Sequence, residues 1–212
     1  MIFLEAWNYA VEHLDELLTA TRDHLLLVAI ALGIGILVCV PLGVVTSRSR
    51  VASLAFINGF NALRVIPSLA VLFLAIPYFG LSFQSAAIAL TLLALPPILI
   101  NTDAAFRNID PAIREAAAGM GMTPRQVLRQ VEIPLALPVV IAGIRTATIE
   151  VIASATLAAF IGAGGLGQFI TLGFAEFDQA ILLVGAVPVA LLALLAEIGM
   201  SNLQRAIQPP TS

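Results

Sequence analysis

The chain has 212 residues, of which 60% are hydrophobic and only 11% charged, and its mean hydropathy is +1.03. A soluble domain of ordinary make-up is excluded, because its apolar share is about 45–50%. The net charge of −3 gives no basic footprint for nucleic acid, and all ten basic residues are arginine. Without a lysine the chain cannot form the phosphate-cradling G-x-x-x-x-G-K-[ST] loop, so no cofactor is expected here and any such ATP site must lie on another subunit.

Residues 1–24 carry Glu5, Glu12, Asp15, Glu16 and Asp23 against a single Arg22. That is the wrong sign for the start of a secretory signal, and a retained N-terminal segment is expected. Leu4, Trp7, Val11, Leu14 and Leu18 recur at helical spacing with acids on the other face. They predict a short helix, either lying in the membrane interface or packed on a partner subunit.

A spanning helix needs about 20 mainly apolar residues, and five stretches supply them: about residues 25–45, 54–79, 83–101, 135–161 and 179–200. The runs are continuous rather than alternating, which selects helices over a barrel. The second span is interrupted by Arg64 and Pro67, and its Asn58, Asn61 and Arg64 are tolerated only on a face buried in protein or lining a cavity. The membrane-spanning body is thus residues 25–205, with 206–212 as a tail. Cys39 reads as a small core residue, and neither His13 nor His24 has metal-site spacing around it.

With five spans, Arg48, Arg50, Arg107, Arg114, Arg125, Arg129 and Arg205 fall on one side. Short cytoplasmic loops are enriched in basic residues, so that side is the cytoplasm, the N-terminus is outside and the C-terminus inside. The other side holds the acidic start, a turn near residues 80–82, and the 162–178 loop with Glu176 and Asp178.

Residues 102–134 form a polar island between the third and fourth spans. Asp110 followed by Pro111 is an N-cap with a first-turn proline, and Gly119 or Gly121 is a terminator. Thr123, Pro124 and Gln126 repeat the start signal as a capping box, opening a second helix to about Val131. Val127, Leu128 and Val131 lie on one side of it and Arg125 and Arg129 on another. Two capped helices presenting small Ala116 and Ala117 for close approach read either as a docking knob outside the membrane or as an ordinary solvated loop joining the third and fourth spans.

Glu115-Ala116-Ala117, three residues, Gly121, nine residues, then Val131-Glu132-Ile133-Pro134 resembles the EAA loop of bacterial ABC transporter permeases, E-A-A to an I-x-L-P ending. The stretches NGFNALRVIPSLAVLFLAIPYFG (58–80), PPILIN (96–101) and PVVIAGIRTATIEVIASATLAAFIGAGGLG (138–167) are similar to permeases of osmoprotectant importers. The resemblance covers about residues 25–205. It implies an all-α integral membrane protein with the type I ABC importer permease fold: about five transmembrane helices and a cytoplasmic two-helix coupling loop. Glu115, Ala116, Ala117, Gly121, Val131, Ile133 and Pro134 would be the ATPase-coupling positions. Implied partners are an ATP-binding cassette ATPase subunit carrying ATP with Mg, a second permease copy or a homologous permease, and an extracytoplasmic substrate-binding (lipo)protein. The setting would be the bacterial inner (cytoplasmic) membrane and its lipid, and the cargo glycine betaine, carnitine, choline or proline betaine. Arg64 and Val65 stand where that family usually has a glutamine, which leaves the choice among these solutes open. Methionine-type permeases share the five-span plan and are the alternative within this class. A stand-alone channel or secondary transporter, with Arg64, Arg145 and Glu150 as a charge relay, is the alternative outside it.

Gly162, Gly164, Gly165 and Gly167 formally match the dinucleotide fingerprint, but they follow a membrane-length helix rather than a strand. They read instead as an external turn or gate, close-packed through glycine. Arg64, Arg145, Glu150 and Glu197 are charges inside spans, expected to pair with one another or to reach water, with solute contact as the alternative. Trp7, Tyr9 and Tyr78 are too few to build an aromatic cage for a quaternary ammonium, so that cage is expected on the separate binding protein.

Overall fold

Every regular element in the described residues, 1–207 of this computed structural model, is helical. In chain order they are α1 (Ile2–Glu12), α2 (Leu14–Thr46), α3 (Arg50–Val65), α4 (Ser68–Phe79), α5 (Phe83–Arg107), α6 (Pro111–Gly119), α7 (Pro124–Gln126), α8 (Ile133–Ser154), α9 (Gly167–Ala175) and α10 (Gln179–Ile207). A π-helical turn (Val127–Glu132) joins α7 to α8, and a 3-10 segment (Ala155–Ile161) follows α8.

The centre of the bundle is α5, whose buried side chains run from Ser85 to Phe106. Glycine sets how closely its neighbours approach. A Cβ on Gly43 of α2 would stand 2.6 Å from Cβ of Thr102, and one on Gly143 of α8 would stand 2.5 Å from Cβ of Asn101 and 2.8 Å from the Pro97 carbonyl. Backbones meet at both places because the side chain is absent. Around these contacts Leu27, Ala31, Leu90, Ile98, Leu99, Ala147 and Val151 close the main core.

These contacts also fix the number of crossings. The C-terminal ends of α2 and α5 touch at Gly43 and Thr102, while Gly35 lies against Ala94 and Ile98 further back, so the two helices run parallel. Both are long and apolar enough to cross a membrane, as are the α7–α8 rod (Pro124–Ile161) and α10. Two parallel spans require the chain between them to return across the bilayer. α3 and α4 together do this as one broken span, bent by 93°. The break has a local cause: Ile66 precedes Pro67 and takes extended backbone (φ −75°, ψ 123°), which the proline ring imposes on its predecessor. Helix α8 then runs antiparallel to α5, and α10 antiparallel to α8, giving five crossings.

Several boundaries differ from the sequence reading. The segment 1–24 is divided, since α1 ends at Glu12 and α2 begins at Leu14, well before residue 25. Its predicted apolar row remains uncovered, with Leu4 66% and Trp7 68% exposed, while Ala6, Tyr9, Ala10 and Leu17 pack toward Leu166, Ile181 and Val184. The 162–178 loop contains α9, and α10 continues to Ile207, so the body overruns residue 205; residues 208–212 of the tail lie outside those described. The second helix of the polar island does not end at Val131. After its capping box it widens into the π turn, where the Ile133 amide donates to the Leu128 carbonyl, and merges with α8. Pro134 lacks an amide and its ring crowds the preceding turn, so the ladder shifts to the wider spacing instead of stopping.

Candidate functional site

At the end of the bundle where α2 and α5 finish, two buried carboxylates collect the arginines. Asp103, 1% exposed, accepts from Thr46 Oγ1 (2.8 Å), Ser53 Oγ (2.8 Å) and the Arg107 guanidinium (3.0 and 3.1 Å), uniting the end of α2, the start of α3 and the end of α5. Glu132, 2% exposed, accepts from Arg48 at 2.8 and 2.5 Å and from Arg114 Nε at 2.6 Å. Arg114 also donates to the Phe106 carbonyl at 2.5 Å. The bidentate bond to Glu132 raises the Arg48 guanidinium above its already high ordinary range.

The polar island projects from this clamp. Asp110 accepts from the Ala112 amide at 2.9 Å and Pro111 opens α6. Gly121, at φ +84°, ends the helix as its amide donates to the Ala118 carbonyl and the Met122 amide to that of Ala117. Glycine is needed there because a side chain disfavours that left-handed backbone. Thr123 and Gln126 satisfy each other's amides, the reciprocal cap expected from their spacing. Glu115 and Ala116 are exposed, whereas Ala117 is buried beneath them. Val131 is half-buried, and Ile133 and Pro134 are exposed at the base of α8. Met120, 76% exposed, caps the knob. Of the candidate coupling positions, Glu115, Ala116, Ala117 and Gly121 therefore lie on the projection, with Ala117 buried rather than presented, and Val131, Ile133 and Pro134 lie at its base beside Glu132.

The clamp itself was not legible as such in the sequence. Arg48, Arg107 and Arg114 read only as orientation charges, and Asp103 and Glu132 did not stand out. The usable signal was an acid at each inner end of an arginine-rich island, Glu132 lying within the matched loop ending.

Within the spans, Arg64 at the end of α3 donates to Glu150 of α8 at 3.0 Å. Arg145 grips Glu197 of α10 with two contacts, Nε to Oε2 measuring 2.7 Å, and reaches Gln204 at 3.4 Å. The glycine turn lies at the opposite end from the clamp. Gly162, Gly164 and Gly165 all have positive φ, Gly164 faces the Asp23 carboxylate, and Gly165 lies against His24. His24 is fully buried with Nε2 3.1 Å from the Ile152 carbonyl. Gly167 opens α9 directly against the Thr156 backbone. The glycines thus seal the top of α2 to the α8–α9 connection.

Comparison with known proteins places this architecture. A family model described as "Binding-protein-dependent transport system inner membrane component" matches residues 28–209. The choline transport system permease protein OpuBB of Bacillus subtilis (strain 168) is 41% identical over 194 residues, covering 92% of this chain and 89% of that protein. The osmoprotectant import permease protein OsmW of Salmonella typhimurium is 38% identical over 211 residues, covering 97% and 98% respectively. Among solved structures, an inward facing conformation of the MetNI methionine ABC transporter aligns with a TM-score of 0.80 at 25% identity, over 93% of this chain and 99% of that one. The five-crossing helical bundle is the type I ABC importer permease fold, and the chain belongs to the family of binding-protein-dependent transport system inner membrane components.

Proposed function

We propose that this chain is the membrane-spanning subunit of an ATP-driven importer for osmoprotectants such as glycine betaine, carnitine, choline or proline betaine. The observation that carries the reading is the likeness, over almost the whole chain, to permeases named for choline, for glycine betaine/carnitine/choline and for osmoprotectant import. The methionine transporter shares the fold at lower identity, so the osmoprotectant reading is preferred to it.

The chain does no covalent chemistry. A separate ATPase subunit holds ATP with Mg and receives the α6–α7 knob, with exposed Glu115 and Ala116 and the Gly121 bend at the contact. Closure of the ATPase moves the knob. Through Glu132 that displacement reaches Arg48 at the α2–α3 junction and, through Arg114, the Phe106 carbonyl at the end of α5. The spans then tilt as rods and open a path alternately to each side. A second permease, either a copy or a homologue, completes the path, and an extracytoplasmic binding protein delivers solute to the face bearing the glycine turn. The arginine-rich clamp faces the cytoplasm, the charge bias supporting this orientation.

The test is uptake of labelled glycine betaine, choline and carnitine by the reconstituted importer. ATP-dependent uptake of at least one, lost when the ATPase subunit is omitted, is expected. Uptake that persists without the ATPase identifies a stand-alone channel or secondary transporter instead.

A further inference from the structure

The bend between α3 and α4 opens a cavity of 430 Å³ whose wall includes Arg64, Glu150, Leu63, Ile66, Leu93 and Pro96. Pro96 stands eleven residues from Arg107 on α5, about 16 Å from the clamp at 1.5 Å per residue, near the middle of a helix about 37 Å long. The cavity is therefore deep in the membrane. A charged pair at that depth is tolerated only where it faces protein or a water-filled path.

The two intramembrane ion pairs differ in how fully they are satisfied. Arg145 holds Glu197 through two contacts and a glutamine through a third. Arg64 touches Glu150 through one nitrogen and one oxygen only, and the side chains remain 48% and 39% exposed. A guanidinium has five donors and a carboxylate about four acceptor sites, so among the described residues most of the capacity of both groups, which line the cavity, is unused.

We propose that this cavity is a transit site for a zwitterionic solute, with Arg64 taking the carboxylate and Glu150 facing the quaternary ammonium. The inference rests on the osmoprotectant reading and narrows it: the favoured cargo carries a carboxylate, as glycine betaine does and choline does not. The planar guanidinium suits a carboxylate bidentately. Opposite charges held 3.0 Å apart present both poles to one small molecule, which inserts by exchanging their mutual contact for its own. Leu63, Ile66, Leu93 and Pro96 give the ammonium methyl groups an apolar wall. Among the described residues no aromatic side chain lines the cavity, so binding is weak, as a site that must release its cargo requires. The cavity lies at the 93° break between α3 and α4.

The experiment measures uptake of labelled glycine betaine and choline by the complete importer carrying Arg64→Gln, or Arg64→Glu together with Glu150→Arg, with the amount in the membrane determined for each. Losing a charge-assisted contact to the carboxylate lowers glycine betaine uptake about tenfold or more, and the ratio of glycine betaine to choline uptake falls with it. The exchanged pair does not restore it. Should Arg64→Gln be missing from the membrane, Arg64→Lys, which keeps the charge but not the planar fork, shifts the ratio in the same direction. An equal loss of both solutes, recovery of glycine betaine uptake in the exchange, or a wild-type importer that carries choline alone overturns the inference while leaving the osmoprotectant reading standing. A wild-type importer that carries neither solute nor carnitine overturns that reading itself.

Discussion

Arg48 and Glu132, 84 positions apart in the chain, form a two-point ion pair at 2.8 and 2.5 Å that ties the α2–α3 junction to the base of α8. Arg114 shares the same carboxylate and also bonds the Phe106 carbonyl, so the base of the projecting knob is tied to three elements of the bundle. The geometry makes Glu132 a mechanical node rather than a surface charge.

The two sides of this node are unequal. Glu132 is 2% exposed, while the Arg48 and Arg114 side chains are 45% and 29% exposed. Glu132→Ala leaves two arginines that water can reach and is expected to cost about 1–3 kcal/mol. Arg48→Ala with Arg114→Ala strands a buried carboxylate and is expected to cost more, about 3–5 kcal/mol. Thermal unfolding in detergent ranks the two; equal losses would show that burial of Glu132 does not set the energetics.

Gly121 has open space around it, so its constraint is the backbone alone, at φ +84°. Gly121→Ala is expected to cost about 1–2 kcal/mol locally, and Gly121→Trp, which adds bulk at the knob, to abolish uptake while membrane insertion stays normal. Uptake at the wild-type rate in Gly121→Trp would remove the docking role from this bend.

Close helix contact makes a contrasting pair of substitutions. Gly143→Ala drives a methyl group into Asn101 and the Pro97 carbonyl, an overpacking expected to cost about 1–3 kcal/mol. Gly33→Ala on α2 meets nothing within 4 Å and is expected to be neutral or to stabilise by up to about 1 kcal/mol. Melting temperatures that fall equally for both would contradict the packing described.

Orientation is checked with single cysteines in a Cys39→Ala background. Met120 (76% exposed) and Phe177 (92% exposed) stand at opposite ends of the bundle. A membrane-impermeant thiol reagent applied to intact cells is expected to label Phe177→Cys and to spare Met120→Cys until the cells are opened. The reverse pattern would invert the proposed sidedness.

Much of this fold was legible from residue patterns because its determinants are local. Five apolar runs, the Asp110-Pro111 and Thr123-Gln126 caps and the Pro67 interruption each act within a few residues of themselves. The first span's early start was not legible, since the acids of residues 15–23 hide a helix that continues through them. Nor was the merging of the second knob helix with α8, because proline reads as a stop and the π turn that absorbs it has no sequence signal of its own. In the Asp103 and Glu132 clamp, Arg107 lies only four positions from Asp103 and Arg114 eighteen from Glu132, but the contacts from Thr46, Ser53 and Arg48 span 50 to 84 positions, which no local period reports. The intramembrane pairs show a middle case: their charge types limited the partners, while only the tertiary arrangement, which brings the end of α3 and the side of α10 within reach of α8, chose Glu150 for Arg64 and Glu197 for Arg145.

Disulfide crosslinking of Ala116→Cys, on the exposed face of α6, to a cysteine introduced in the groove of the ATPase subunit decides most directly whether the knob transmits the stroke. The expected result is a crosslink that forms in the assembled importer, halts ATP-driven uptake and is reversed by reductant. A knob that forms no crosslink anywhere on the ATPase, or one that can be locked to it while uptake continues unchanged, would contradict the coupling role.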